Sequence, residues 1–173
     1  MKKTEKMVYT AMLTAFTAAT SHFIYIPIGF AKVFPVQHFV NVVSAVLLGP
    51  SYAVTQAVLS STIRNVMGTG SIFAFPGSII GALLAAYCYK MFRRVSIAAI
   101  GEVVGTGILG ALATYPIALF LLGKEATLFG LMPAFLLSSF GGALLAYGLL
   151  KTMMKHPILG GIQHENSINN RRI

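Results

Sequence analysis

From residue 7 to residue 150 the chain is a near-unbroken series of apolar runs, divided by short segments of glycine, proline and charge. Only Lys32, Arg64, Lys90, Arg93, Arg94, Glu102, Lys124 and Glu125 are charged within that stretch. The hydrocarbon core of a bilayer is about 30 Å thick, so a spanning helix needs roughly 20 mostly apolar residues. The first run, residues 7–28, ends at Pro27-Ile28-Gly29 and is expected to be a retained first helix, although Lys2, Lys3 and Lys6 ahead of it resemble the start of a signal peptide. After a hinge over residues 30–34, Pro35 suits the first position of a second helix that reaches Leu48. The third run covers residues 51–67 and stops at Gly68-Thr69-Gly70-Ser71. The fourth starts near Phe75-Pro76-Gly77 and closes after Tyr89 on Lys90, Arg93 and Arg94. The fifth, residues 97–122, holds Pro116, where a kink is expected. Gly123-Lys124-Glu125 then turns the chain into the sixth, residues 126–150.

The Gly49-Pro50 break sets the helix count. Unbroken, residues 35–67 would make one helix of about 50 Å at 1.5 Å per residue, too long to span once. With the break the pattern predicts an all-α membrane protein of six transmembrane helices, with both termini on one side. That side takes Lys2, Lys3, Lys6, Lys90, Arg93, Arg94, Lys151, Lys155, Arg171 and Arg172. The positive-inside rule makes it the cytoplasm of a multi-pass cell-membrane protein. Lys32 and Lys124 fall on the opposite side, with Arg64 just inside it. Residues 1–155 read as a single domain, and the polar, Asn-rich stretch 156–173 as a disordered cytoplasmic tail. No internal repeat is visible, so an inverted-repeat transporter is not supported.

Composition narrows the function. A charged fraction of 10% lies far below the soluble average of about 25%. The +9 net charge flanks apolar segments rather than lining a solvated face, which argues against nucleic acid. The single cysteine, Cys88, allows no disulfide within the chain and reads as a packing residue. Gly105-Thr106-Gly107-Ile108-Leu109-Gly110 matches a dinucleotide fingerprint, but that motif needs a strand before it and a soluble βαβ unit around it. Within a membrane helix its glycines serve close packing instead. There is no phosphate-binding loop, so no ATP is hydrolysed by this chain, and no cofactor is implied. The chain has no Asp, no H-E-x-x-H metal motif and no close pair of carboxylates, which leaves neither a catalytic set nor a metal site and argues against an enzyme.

The polar residues inside the runs carry the functional expectation, because a polar group in hydrocarbon is costly unless paired. Gln37, His38 and Asn41 lie within one turn of the outer end of the second run, and Arg64 and Asn65 close the third at the same end. Tyr115 lies in the outer half of the fifth. Lys32 and the aromatics Phe30, Phe34, Phe73 and Phe75 sit in the adjoining loops. Aromatic walls with a few convergent polar groups are the usual make-up of a small-molecule site. Taken alone, His38 reads equally well as an interfacial histidine and Arg64 as a snorkelling side chain. The outer cluster has cations and no acid. Glu102, the one acid well inside a run, is placed by helical rise roughly 10 to 15 Å in depth from Arg64, so an ion pair between them is not expected. Small residues also recur at four-residue spacing: Ala11, Ala15 and Ala19; Gly77, Gly81 and Ala85; Gly101 and Gly105. These faces suit close helix packing, and the first, on an edge segment, is the best candidate to meet a partner.

Several blocks of the chain resemble the ThiW family. They are Ile26–Pro27 through Gln37-His38, Leu47-Leu48-Gly49-Pro50, Arg64-Asn65 through Gly70, Phe75-Pro76-Gly77-Ser78, Gly101-Glu102 through Gly107, and Tyr115-Pro116. Members of that family are substrate-binding S components of energy-coupling factor (ECF) transporters, assigned to the thiazole precursor of thiamin. The resemblance implies a six-helix S-component fold and a vitamin-precursor site under the first outer loop. The implied ligand is 4-methyl-5-(2-hydroxyethyl)thiazole. The implied partners are a transmembrane coupling subunit with two cytoplasmic ATPases, met through the face of Ala11, Ala15 and Ala19. Another thiamin-related or vitamin-like heterocycle on the same fold, or a membrane enzyme or structural membrane subunit, are the competing readings. Mass spectrometry of ligand retained through purification would separate them.

Overall fold

The computed structural model describes residues 1–28, 31–122 and 128–154. It contains six helices: α1 (Lys3–Thr20), α2 (Pro35–Leu47), α3 (Pro50–Val66), α4 (Ala74–Phe92), α5 (residues 95–122) and α6 (Leu128–Met153). A short antiparallel hairpin, β1 (Ile26–Ile28) and β2 (Ala31–Val33), joins α1 to α2, with Ile26 opposite Val33 and Ile28 opposite Ala31. Successive helices run in opposite directions. Near the start of α1, Lys6 Nζ donates to the Leu48 carbonyl at the end of α2 (3.2 Å), and just past the end of α1 Ser21 Oγ lies 2.7 Å from Thr69 Oγ1, beyond α3. One end of the bundle therefore gathers Lys6, Lys90 and Arg93, and the other gathers the hairpin and the turn after α3.

Three helices are long and apolar enough to cross a membrane by length and hydropathy: Ala74–Phe92, Val95–Phe120 and Leu131–Met153. The other three fail that measure for physical reasons. Thirteen-residue α2 is apolar but only about 20 Å long by helical rise. It forms the axis of the bundle and touches each of the other helices, which buries it from Val36 to Val46 apart from half-buried Phe39. α1 turns a polar stripe inward, where Thr10, Thr14 and Thr17 are buried and donate to the carbonyls of Lys6, Thr10 and Leu13 at 2.7–2.8 Å. Bonding the hydroxyl back to its own helix satisfies it without water. α1's outer surface exposes Met7, Val8, Met12 and Phe16 instead. α3 likewise buries Gln56, Ser60 and Ser61 against its neighbours.

The core is fine-grained. Val42, Val43 and Val46 of α2 meet Tyr89, Val95, Ala98, Ala143, Ala146 and Leu150, while Ala45, Ala53, Ala57, Ala82, Ala85 and Ala86 form a second, alanine-lined seam. Helices α4 and α5 approach closely. A methyl on Gly105 would stand 2.8 Å from Gly81 Cα, and one on Gly110 2.5 Å from Gly77 Cα, so both crossings require glycine on α5, and the first on α4 as well. In hydrocarbon, where helix association depends on close packing, such contacts hold a bundle together. The sharp turn between α2 and α3 rests on Gly49 at φ 91°, a conformation that side chains disfavour.

One expectation is revised. The first helix stops at Thr20 rather than reaching Ile28. Ser21 Oγ caps the Ala18 carbonyl (2.6 Å), Pro27 cannot continue a helix, and Ile24, Ile26 and Ile28 alternate as a strand does. α5 also leaves α geometry at the π-helical Gly105–Gly110, and Pro116 lies within the helix six residues further on. Loop residues Lys124 and Glu125 and the tail 156–173 lie outside the described residues.

Candidate functional site

At the hairpin end of the bundle, α2, α3, α4, α5 and α6 enclose a cavity of about 250 Å³. Phe34, Phe73, Phe135 and Leu131 supply its apolar wall, and Gln37, His38, Arg64, Ser78 and Thr106 its polar side. The turn Thr69-Gly70-Ser71 closes one flank. Asn65 braces that turn, its Nδ2 donating to the Ser61 carbonyl (2.8 Å) and to the Ser71 carbonyl (3.1 Å). Phe34 is held at the rim by its backbone N–H, which donates to Ser138 Oγ (2.9 Å).

Arg64, in the last turn of α3, is buried and held from three sides. Its Nη1 donates to Gln37 Oε1, its Nη2 to the Thr69 carbonyl (3.2 Å), and the guanidinium lies 4.0 Å from the centroid of the Phe34 ring. Gln37 in turn donates through Nε2 to Ser61 Oγ (2.9 Å). Arg64 Nε has no partner among the described residues. A guanidinium stacked on an aromatic and held by an amide is a pre-set donor, ready for an acceptor without further ordering.

Beneath this layer lies a second one. Glu102 is fully buried on α5, and its Oε1 lies 2.8 Å from His38 Nδ1, 3.0 Å from Asn41 Nδ2 and 3.0 Å from Thr106 Oγ1. Its Oε2 meets no partner among the described residues. Asn41 is fully buried and also donates to the Ser78 carbonyl (3.2 Å), and Thr106 Oγ1 lies 3.0 Å from the Gly77 carbonyl. Gly81 makes room for this carboxyl, because a methyl there would lie 2.8 and 2.9 Å from its two oxygens and overlap Thr106 Oγ1.

The structure thus brings together Phe34, Gln37, His38 and Arg64 at the cavity, with Asn41 and Glu102 directly behind it. Asn65 acts on the turn rather than on the cavity. Phe75 is half-buried and does not line it, and Tyr115 is 37% exposed and faces away. The side chain of Lys32 lies outside what is described. The expected separation of Glu102 from the outer cluster is corrected. Glu102 meets no guanidinium, as expected, but α2 is short and central enough to bring His38 down to it, so a carboxyl stands directly behind the outer cluster. Phe73, expected among the aromatic walls, does line the cavity, and residues that the sequence reading missed are Ser61, Thr69, Gly70, Ser71, Ser78, Thr106, Leu131, Phe135 and Ser138. Thr106 and Ser78 had a signal: the first stands four residues after Glu102 on the same helix face, the second follows the Phe75-Pro76-Gly77 helix start.

Two other cavities exist among the described residues. One, of about 330 Å³ between α5 and α6, is bordered by Ile100, Phe140 and Leu144, all exposed on the outer surface of the bundle. The other, also about 330 Å³, lies at the opposite end among Lys6, Lys90 and Arg93. Neither combines aromatic walls with buried, convergent polar groups, which is what marks a small-molecule site.

The fold matches a solved structure described as the S component of a bacterial ECF transporter, with a TM-score of 0.69 and 18% identity, over 89% of this chain and 98% of that one. A search of curated proteins gave no significant match. The family model described as "Thiamine-precursor transporter protein (ThiW)" matches residues 7–156, and the chain belongs to that family.

Proposed function

We propose that this chain is the substrate-binding subunit of an ECF-type importer and that it takes 4-methyl-5-(2-hydroxyethyl)thiazole into the cavity between Phe34, His38 and Arg64. The observation that carries this reading is the cavity itself: about 250 Å³, aromatic on one side and polar on the other. Ligand pockets usually run from about 300 to 1,000 Å³, so this one suits a single flat ring. A cationic thiamin would meet the guanidinium of Arg64, which opposes its binding. The ring would stack among Phe34, Phe73 and Phe135, and the hydroxyl would meet the polar side. The family supports a thiamin precursor, and the fold supports delivery to a coupling subunit with two ATPases, so energy comes from partners rather than from this chain. Catalysis has no place in this reading.

The test is a titration of purified protein with the thiazole, its phosphate ester and thiamin at low and high salt. The neutral thiazole is expected to bind at least tenfold more tightly than thiamin, with less than a twofold change on raising salt. The phosphate ester pairs with Arg64 and is expected to weaken as salt rises, because screening acts on charged pairs. Tighter binding of thiamin, or of a different heterocycle recovered by mass spectrometry, would overturn the ligand assignment while keeping the fold.

The reading places both termini in the cytoplasm and the cavity toward the outside. In a Cys88→Ala background, Lys124→Cys is expected to react with an impermeant maleimide added outside intact cells, and Arg94→Cys only after the cells are opened. Labelling of both from the same side would refute this topology.

A further inference from the structure

The second polar layer has a role that the proposed ligand alone does not explain. Glu102 does not line the cavity, yet it is the most completely buried acid in the described structure and three side chains converge on one of its oxygens. What that convergence fixes is the protonation pattern of His38. The Ser78 carbonyl can only accept, so the Asn41 atom facing it is the amide nitrogen, and the same nitrogen donates to Glu102 Oε1. Oε1 therefore accepts, and a carboxyl oxygen that carries no proton of its own can meet His38 Nδ1 at 2.8 Å only with the hydrogen on Nδ1. This holds whether Glu102 is a carboxylate or carries a proton on Oε2.

In a neutral imidazole, a hydrogen on Nδ1 leaves a lone pair on Nε2. Nδ1 is turned to Glu102, His38 lines the cavity, and Nε2 has no hydrogen-bond partner among the described residues, nor does it fall among the buried unpartnered atoms. Nε2 therefore opens onto the cavity as an acceptor. Of the other groups on that side, Arg64 only donates, Gln37 Oε1 already accepts from Arg64, and the hydroxyls of Ser78 and Thr106 are engaged with Asn41 and with Glu102 and the Gly77 carbonyl.

We propose that Glu102 is a positioning residue that holds His38 in the Nδ1–H form, so that Nε2 selects heteroaromatic ligands carrying a hydroxyl donor over the same ring without one. This rests on the reading that the cavity is the substrate site, and it adds the discriminating atom to it. A ligand without the hydroxyl leaves Nε2 buried and unpaired, and sites built to meet a hydroxyl reject analogues lacking it more strongly than apolar pockets reject a missing methylene.

Two measurements test it. The first needs no ligand: ¹⁵N-histidine spectra of the detergent-solubilised full chain, with His38 assigned by its loss in His38→Phe. The expected signature is a protonated Nδ1 and a pyridine-type Nε2. It should persist in Glu102→Gln, whose carbonyl still accepts, and give way to mixed tautomers in Glu102→Ala. A protonated Nε2 in the unmodified protein overturns the proposal. The second compares 4-methyl-5-(2-hydroxyethyl)thiazole with 4-methyl-5-ethylthiazole. At least tenfold preference for the hydroxyl compound is expected in the unmodified protein and in Glu102→Gln, falling to about twofold or less in His38→Phe. Equal affinity for the two compounds in the unmodified protein sinks the proposal but leaves the thiazole assignment standing. Failure of both to bind sinks the assignment, while the spectra still decide the tautomer.

Discussion

Replacing Gly81 with alanine is expected to abolish ligand binding, with a loss of at least a hundredfold in affinity. The added methyl would overlap Thr106 Oγ1 and stand 2.8 and 2.9 Å from the oxygens of Glu102, with Gly105 of α5 directly opposite. None of these neighbours has space to retreat: Glu102 and Thr106 are buried, and a methyl on Gly105 would itself stand 2.8 Å from Gly81 Cα. Overpacking of this kind costs about 1–3 kcal/mol. Pushing Glu102 off His38 and Asn41 adds the penalty of a buried acid without its partners, on the order of 3–5 kcal/mol when a pair is broken. Part of that cost falls on the folded state, so a lower unfolding temperature is expected together with the binding loss. Gly148→Ala is the matched control. It lies within α6 with nothing near its Cβ position, and alanine there should leave binding intact and stabilise the helix by up to about 1 kcal/mol. Unaltered thiazole affinity in Gly81→Ala would show that the Glu102 layer does not support the cavity.

The distance between what the sequence shows and what the structure adds has a consistent physical origin. Breaks that depend on backbone chemistry were legible: Gly49-Pro50 separates α2 from α3, and Pro35 opens α2, as expected. The hairpin was not, because residues 21–34 are apolar enough to continue a helix and only Pro27 argues against it. The convergence of Gln37, His38 and Arg64 comes from their nearness to helix ends, a property that residue order preserves. The pairing of His38 with Glu102 is hidden from residue order, which gives depth along a helix only if each helix spans the same thickness, and α2 has 13 residues against 26 in α6. Tyr115 was misplaced for a related reason. The π segment at Gly105–Gly110 inserts extra residues into the turn and rotates the remainder of α5, so the buried face beyond it carries Ala111, Thr114 and Ala118 and turns Tyr115 outward. The glycines first read as packing residues do pack, at the crossing of α4 and α5.

Ala15→Leu is expected to reduce uptake in cells to background while changing the affinity of the purified subunit by less than twofold. The expectation rests on the proposed docking role of Ala11, Ala15 and Ala19, which are all exposed, whereas the opposite face of α1 buries Thr10, Thr14 and Thr17 in the bundle. A leucine added to the outer face meets nothing within the chain, so neither the fold nor the cavity should respond. A partner helix would respond strongly, because small residues at four-residue spacing let two backbones come close and a branched side chain at the centre holds them apart. The exposed Met7, Val8, Met12 and Phe16 would frame that contact, as larger side chains flank the small ones at close helix crossings. α1 reaches the cavity region through the Ser21–Thr69 contact at its far end and through Leu13, which packs on the cluster of Phe34, Val36 and Val40, and a change on the outer face leaves both contacts intact. Met12→Leu, also exposed but conserving volume, should support normal uptake and exclude a general effect of altering this surface. Normal uptake by Ala15→Leu would remove α1 as the docking face. Loss of thiazole binding by the purified variant would instead mean that this face supports the bundle from within.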